Sequence, residues 1–430
     1  LEPEQLIADE IPASDGYLDL IRRNRAFRRI WLGQVVSQMG DWFDSIAVYT
    51  LVLALTGSSR AVSLILIARF IPTFIFGPLA GVLADRFDRK RIMIATDVMR
   101  AVIVIGFLFV DRPERVWLAY LFTVLQLTVS TFFEPARSAV IPSVVARRDL
   151  VRANTISSAT WSIVLAVGAG LGGFVTSWLG TKAAFLLDSL SYATSAVLII
   201  GVALPKHAPR LKRVLSVPKL LGITDTIEGA RYVWRHPRVL AAMLVKPAWG
   251  LGGGALTILI VFGEKIFPVG GRPALGMGIL FAARGFGTAV GPIVSRRLFG
   301  ESRDRLELLI GCTFFISASF YLIFGTATIY PIAVLALMIS HAGSSVQWVN
   351  SAVLLQTQVE DGFRGRVFAA ELGLLTLTLA TATYATGELL ERFHWNPRHV
   401  AVLIGLIWFV PGIVWFATRR WWAREARAGN

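Results

Sequence analysis

Cysteine is almost absent. Cys312, inside an apolar run, is the only one among 430 residues. An intrachain disulfide is impossible, and no metal cluster can be built on thiolates. Charge is scarce too: charged residues make up 17% of the chain, against roughly 25% in an average soluble protein. Acids are the scarcer sign, with 28 Asp and Glu against 43 Lys and Arg. No Gly-x-x-x-x-Gly-Lys-Ser/Thr phosphate cradle occurs, which argues against an ATP-driven pump. No Cys/His metal set appears, and lone Ser and His residues in apolar runs do not make a catalytic triad. No segment is long and polar enough to house a reaction, so no enzymatic activity and no cofactor are expected. The first 20 residues are acidic and polar (Glu2, Glu4, Asp9, Glu10, Asp15, Asp19), so a cleavable signal peptide is not expected.

What remains is apolar. Hydrophobic residues make up 55% of the chain, and long apolar stretches recur from Trp31 to Phe416. This is the pattern of a polytopic helical membrane protein. The alternating segments of about ten residues expected of a transmembrane barrel are missing. Spans are expected near 30–56, 60–84, 92–110, 116–141, 153–179, 183–203, 239–262, 274–295, 306–325, 330–356, 366–390 and 399–418, the fourth ending before Pro142. Each is close to the ~20 residues that cross hydrocarbon. With both termini placed in the cytoplasm, the inner segments hold 30 of the 43 Lys and Arg residues and the outer loops eight. The positive-inside rule therefore explains the net charge of +15 better than nucleic-acid binding does. A cell inner (plasma) membrane location follows.

The organisation reads as an N-terminal tail (1–29), a six-helix half (30–204), a cytoplasmic linker (205–238), a second six-helix half (239–418) and a short tail (419–430). In the linker, Leu220, Ile223, Ile227, Ala230 and Trp234 recur at helical spacing. They predict an amphipathic helix on the membrane surface or under the bundle. Gly77-Pro78 and Gly291-Pro292 lie 214 residues apart, as in a parallel repeat of two halves.

The sharpest local signal is the loop from Gly81 to Arg91, where Asp85, Arg86, Asp88, Arg89, Lys90 and Arg91 crowd between two apolar runs. It resembles motif A of the major facilitator superfamily, Gly-x-Leu-x-Asp-Arg-x-x-Arg-Lys/Arg, at Gly81, Leu83, Asp85, Arg86, Arg89, Lys90 and Arg91. Glu134 to Pro142 with Leu150, Ala153 and Asn154 is similar to the enterobactin-exporter and macrolide-efflux branch. So are Glu228-Gly229 with His236-Pro237-Arg238, and Arg364 to Val367. The resemblance implies an all-α membrane fold of twelve helices in two pseudo-symmetric six-helix bundles. It also implies export of amphipathic small molecules, drug- or siderophore-like, usually by proton antiport. The chain departs from the pattern in places. The second-half counterpart of motif A, Gly291 to Arg297, has no Asp. Ala169 stands where the antiporter motif has proline. The first base on the fourth span is Arg137.

A charge within hydrocarbon is costly, so each one is a functional candidate. Gln34, Gln38, Asp41, Ser45 and Tyr49 form one polar stripe, with Asp44 close to it. Asp41 falls roughly 15–18 Å above the inner end of its span, near the midplane. These residues line a substrate or proton site, or else pair with bases on neighbouring helices. A midplane carboxylate can lose its proton to one side and regain it from the other, as coupling requires. Arg69 and Arg284 are candidates to neutralise Asp41, Asp44 or Asp188. Lys246, followed by Pro247 and three glycines, sits on a kinked helix that could gate; an ordinary snorkelling lysine is the alternative. His341, Gln347, Trp348 and Asn350 could contact substrate, or simply pack. Gly81, Asp85, Arg86, Arg89, Glu134 and Arg137 suggest a cytoplasmic latch, with Asp85 accepting from the helix start near Arg366. Gly77, Gly168, Gly172, Gly287 and Gly291, with Gly81, are spaced for close helix packing. The expected partners are an amphipathic small molecule, protons and the lipid bilayer, with no nucleic acid, acting on a monomer. A lysophospholipid or lipid translocase, and a non-transporting membrane sensor or scaffold, are the competing functions.

Overall fold

The computed structural model describes residues 16–203, 223–300 and 302–428, except the side chains of Pro78, Asp85, Asp361, 223–226 and 420–428. Among these the chain is all-helical, with no β-strand. The helices are α1 (Tyr17–Arg23), α2 (Arg25–Thr56), α3 (Ser59–Arg86), α4 (Arg89–Ile105), α5 (Val116–Val144), α6 (Leu150–Ile200), α7 (Ile223–Trp234), α8 (Pro237–Gly250), α9 (Ala255–Val261), α10 (Pro273–Phe299), α11 (Arg303–Thr326), α12 (Tyr330–Gln358), α13 (Asp361–Glu391) and α14 (Pro397–Ala428). Ten segments are long and apolar enough to cross a membrane, from Ser59–Gly77 to Pro397–Arg419. α2 is not among them, since Asp41 and Asp44 dilute its apolar run. α6 is interrupted at Gly180, whose φ of 85° lies outside the helical region.

Local chemistry explains several boundaries. Asp88 caps α4 by accepting from Arg91 N at 2.8 Å. Asn24 accepts from Phe27 N at 2.9 Å and donates to the Val144 carbonyl at 2.6 Å, so one side chain starts α2 and ties it to the end of α5. That cap moves the start of α2 back to Arg25. The basic residues Arg25, Arg28 and Arg29 of the expected tail are therefore helical, and so is Tyr17–Arg23.

α5 runs through Pro135 and Pro142 to Val144 instead of stopping before Pro142. A membrane helix tolerates proline where side chains serve the freed carbonyls. Here Arg89 Nη1 donates to the Ala139 carbonyl at 2.9 Å, next to the carbonyl that Pro142 deprives of its donor. The seventh expected span breaks at Gly252, Gly253 and Gly254 between α8 and α9, then ends in a π turn at Phe262–Ile266.

The chain divides into two compact units, residues 1–55 with 71–216, and residues 56–70 with 217–430. The first is built on Phe27, Ile30, Met93, Phe133, Ile141, Ile156 and Ile199. Gly172 of α6 lies against the Trp42 backbone, where a Cβ would stand 2.8 Å from the carbonyl oxygen, and Gly168 lies against the Trp42 and Met39 side chains. In the second unit, a Cβ at Gly287 or Gly291 of α10 would collide with the Met338 or Ala342 carbonyl of α12. Gly77 and Gly81, expected at the same kind of contact, have nothing within 4 Å of their Cβ positions.

The second unit also holds the start of α3. Ser63 Oγ lies 3.0 Å from Thr257 Oγ1, Arg60 Nη1 3.5 Å from Glu388, and Ser59 N donates to Glu391 at 3.2 Å. The linker helix is α7. It buries Gly229 and Val233 against α13 and stacks Tyr232 on Phe363, leaving Ile227 and Trp234 exposed. The side that packs is thus not the apolar stripe read from the sequence, because Gly229 allows the closest backbone approach. Leu220 lies outside the described residues.

Candidate functional site

Four carboxyl groups meet inside the first unit. Asp41 and Asp44 come from α2, Asp97 from α4 and Asp188 from α6. Asp44, Asp97 and Asp188 are fully buried. Arg100 faces them and pairs with Asp97 one turn away on α4. Its guanidinium lies 4.2 Å from the centroid of the Tyr192 ring and 4.9 Å from that of Phe133, and Nη1 is 3.5 Å from Ser130 Oγ. Tyr192 donates its hydroxyl hydrogen to Asp41 and accepts from Gln126 Nε2 at 3.1 Å. Asp188 accepts from Ser191 Oγ at 3.2 Å and lies within the electrostatic reach of Asp44, Asp41 and Arg100. Gly40 makes this convergence possible, since a Cβ there would stand 2.8 Å from Ser191 Cβ and collide with Asp188.

The group is rich in acceptors. Among the described residues, Asp188 Oδ2 and the amide oxygens of Gln34, Gln38 and Gln126 are buried with no hydrogen-bond donor. A buried acceptor without a donor costs about 1–3 kcal/mol. Several together make a place that gains from taking up a proton or a donor-bearing ligand. A cavity of about 530 Å³ adjoins it, lined by Gln34, Ser37, Gln38 and Asp41 of α2, Arg100 of α4, Phe133, Glu134 and Arg137 of α5, and Asn154, Ser157 and Trp161 of α6. Glu134 holds Arg137 at 2.5 Å, and Arg137 Nη1 reaches Ser157 Oγ at 3.2 Å.

The second unit carries its own buried ion pair. Lys246 Nζ of α8 lies 2.8 Å from Glu371 Oε2 of α13, and both side chains are under a tenth exposed. The ammonium sits 5.0 Å from the Trp348 ring centroid and 5.6 Å from that of Phe368. Trp249 meets Trp348 edge to face at 5.8 Å.

The residues singled out from sequence thus separate. Gln34, Gln38 and Asp41 line the cavity with Arg100, and Asp44 is buried on the same helix. Tyr49 is buried further along it, and Ser45 bonds back to the Asp41 carbonyl at 2.5 Å. Lys246 and Trp348 meet each other. Arg69 and Arg284 are half-buried, and His341, Gln347 and Asn350 are buried on α12. Arg100, which the sequence reading had not proposed for that role, lies against the carboxylates. Glu134 and Arg137 pair with each other on one helix, and Arg89 serves the carbonyls of Ala84 and Ala139. The Asp85 side chain, central to the expected latch, lies outside the described residues. Sequence reasoning did not select Asp97, Arg100, Tyr192 or Glu371 as site residues. Their signal was present: Asp97 and Arg100 lie three apart, and Asp188 and Tyr192 four apart, within apolar runs.

Long apolar helices with buried charges beside a polar cavity are the build of a membrane transporter. The likeness to solved structures gives the fold. The peptide transporter POT in complex with sulfate matches with a TM-score of 0.73 at 14% identity, over 99% of both chains. The nucleoside transporter NupG matches with 0.70 at 13% identity, over 92% of this chain and 99% of that one. The protein is a transporter of the major facilitator superfamily.

Within that superfamily the chain belongs to the transmembrane secretion effector family, whose sequence model matches residues 21–414. It is 26% identical to the uncharacterized MFS-type transporter YfiS of Bacillus subtilis, over 92% of this chain and 93% of that protein. It is 24% identical to macrolide efflux protein A of Streptococcus pyogenes, over 86% and 91%.

Proposed function

We propose that the protein exports hydrophobic or amphipathic small molecules, drug- or siderophore-like, from the cell across the inner membrane in exchange for protons. Two six-helix bundles would alternate access to a central path, with both termini cytoplasmic and a monomer as the working unit. Twelve spans are reached when α2 is added to the ten candidates and Arg147–Ile200 is divided at Gly180. At 1.5 Å per residue that segment would otherwise be roughly 80 Å long, more than twice the ~30 Å of hydrocarbon.

The observation that carries the reading is four carboxyl groups gathered with Arg100 beside a polar cavity. Like charges so close cannot all be ionised cheaply in a low-dielectric interior. The cluster is suited to hold a proton in one state and release it in the other. Tyr192, between Asp41 and Arg100, would relay that change to α2 and α4.

The test is transport into proteoliposomes of a panel of drugs, siderophores and lysolipids, with and without a pH gradient. A gradient-dependent signal lost in Asp41→Asn and Asp188→Asn supports antiport. Transport that ignores both the gradient and the substitutions contradicts it.

A second reading, lipid translocation on the same fold, is favoured by an almost wholly apolar cavity of about 460 Å³ between α8, α13 and α14. Selective movement of lysolipids in the same panel would establish it. A non-transporting sensor or scaffold is disfavoured, because it has no use for buried charges; no transport of any compound would restore it.

A further inference from the structure

The Lys246–Glu371 pair belongs to the second unit, and none of the coupling roles above uses it. We infer that it is a substrate-cation site: Glu371, Trp249, Trp348 and Phe368 bind the protonated amine of an amphipathic substrate, and Lys246 occupies that place when no substrate is bound. The inference deepens the export reading and rests on it.

Two buried polar atoms point to a ligand. Glu371 uses Oε2 for Lys246, while Oε1 is buried and has no donor. Trp249 Nε1 is buried and has no acceptor. Trp249 follows Lys246 by one turn on the same face of α8, and its ring meets Trp348. The site therefore offers one spare acceptor and one spare donor beside a carboxylate. A ligand that satisfies all three carries an ammonium with N–H groups, and an oxygen acceptor close to it.

The sign of the charge follows from the walls. The faces of Trp348 and Phe368 are turned to an ammonium, and ring faces attract cations. An anion would meet the negative faces of both rings. It would also take Lys246 from Glu371 and leave that carboxylate buried with no counter-charge. A substrate cation replaces one ammonium by another and keeps the pair. Lys246 would have to yield its place to the substrate by turning its flexible four-carbon stem. Trp348, 43% exposed, is the open wall through which a ligand reaches Glu371. The body of the ligand would lie against apolar and aromatic surface, which accounts for the amphipathic requirement.

The probes are a dansyl-labelled alkyl amine, its N-acetylated neutral form and the corresponding carboxylate. Each is titrated against the purified full chain by fluorescence and followed into proteoliposomes. The amine is expected to bind at least roughly tenfold tighter than the neutral form, and Glu371→Gln to remove that preference. Trp348→Ala should weaken amine binding severalfold, and binding of the neutral form by less. Because Glu371→Gln strands a buried lysine, the double variant K246Q/E371Q, which strands neither charge, should show the same loss.

Equal binding of amine and neutral form overturns the inference, as does an amine preference that survives in the double variant, or a preference for the carboxylate. If the neutral probe is still exported in those cases, the export reading stands without this site. If the amine binds in a Glu371-dependent way and no probe crosses the membrane, export is what fails.

Discussion

Arg100 shows what a single residue does here. It is 2% exposed, and its positive charge lies among Asp97, Asp41 and Asp188. Arg100→Gln leaves Asp97 buried without its counter-charge, at a cost of about 3–5 kcal/mol. The double variant Asp97→Asn/Arg100→Gln is expected to recover most of that, as measured by thermal unfolding in detergent. A single variant as stable as the parent would show that the pair carries no such weight.

Gly40 gives a second prediction. Gly40→Ala places a Cβ 2.8 Å from Ser191 Cβ and should cost about 1–3 kcal/mol by overpacking. Ser191→Gly in the same chain should return part of that stability. Asp41, Lys246 and Trp348 stand out in the sequence because charge and bulk interrupt apolar runs. Which partner each one meets does not show, since Asp41 and Tyr192 are 151 positions apart and Lys246 and Glu371 are 125 apart. Nothing local records which distant helix a charge will meet.

Elements were legible wherever apolar length alone decides. The ten span-length apolar segments and the charged hairpin after Gly81 follow from that length. Proline was misleading at Pro142, since the rule that it ends a helix comes from water, where freed carbonyls are hydrated. The linker helix had a legible period, and Ile227 and Trp234 of its apolar stripe are exposed. Period says which residues share a side; Gly229 decided which side packs.

The start of α3 supplies the prediction for this scale. Ser59 to Phe70 group with the second unit, and Ser63 and Thr257 bring their hydroxyl oxygens to 3.0 Å. Replacing both by cysteine on a Cys312→Ala background should give a pair close enough to bridge. If alternating access parts α3 from α9, oxidation should stop transport and reductant should restore it. Full cross-linking with unchanged transport would mean that the contact is static.

At the scale of the molecule, the family was legible because motif A and the run from Glu134 to Pro142 are local strings. The carboxylate group was only half legible. The polar stripe on α2 shows in the sequence, but the group depends on Asp97 of α4 and Asp188 of α6.

The central claim is that these carboxyl groups carry protons against cargo. Its most direct measurement is substrate-driven proton movement, read by a pH-sensitive dye inside proteoliposomes with no imposed gradient. The account predicts that adding a transported amphiphile to one side drives protons the other way. It also predicts that this signal vanishes in Asp41→Asn and Asp188→Asn while the substrate still binds. Substrate crossing the bilayer at full rate with no proton movement, in the parent and in both variants, would contradict it.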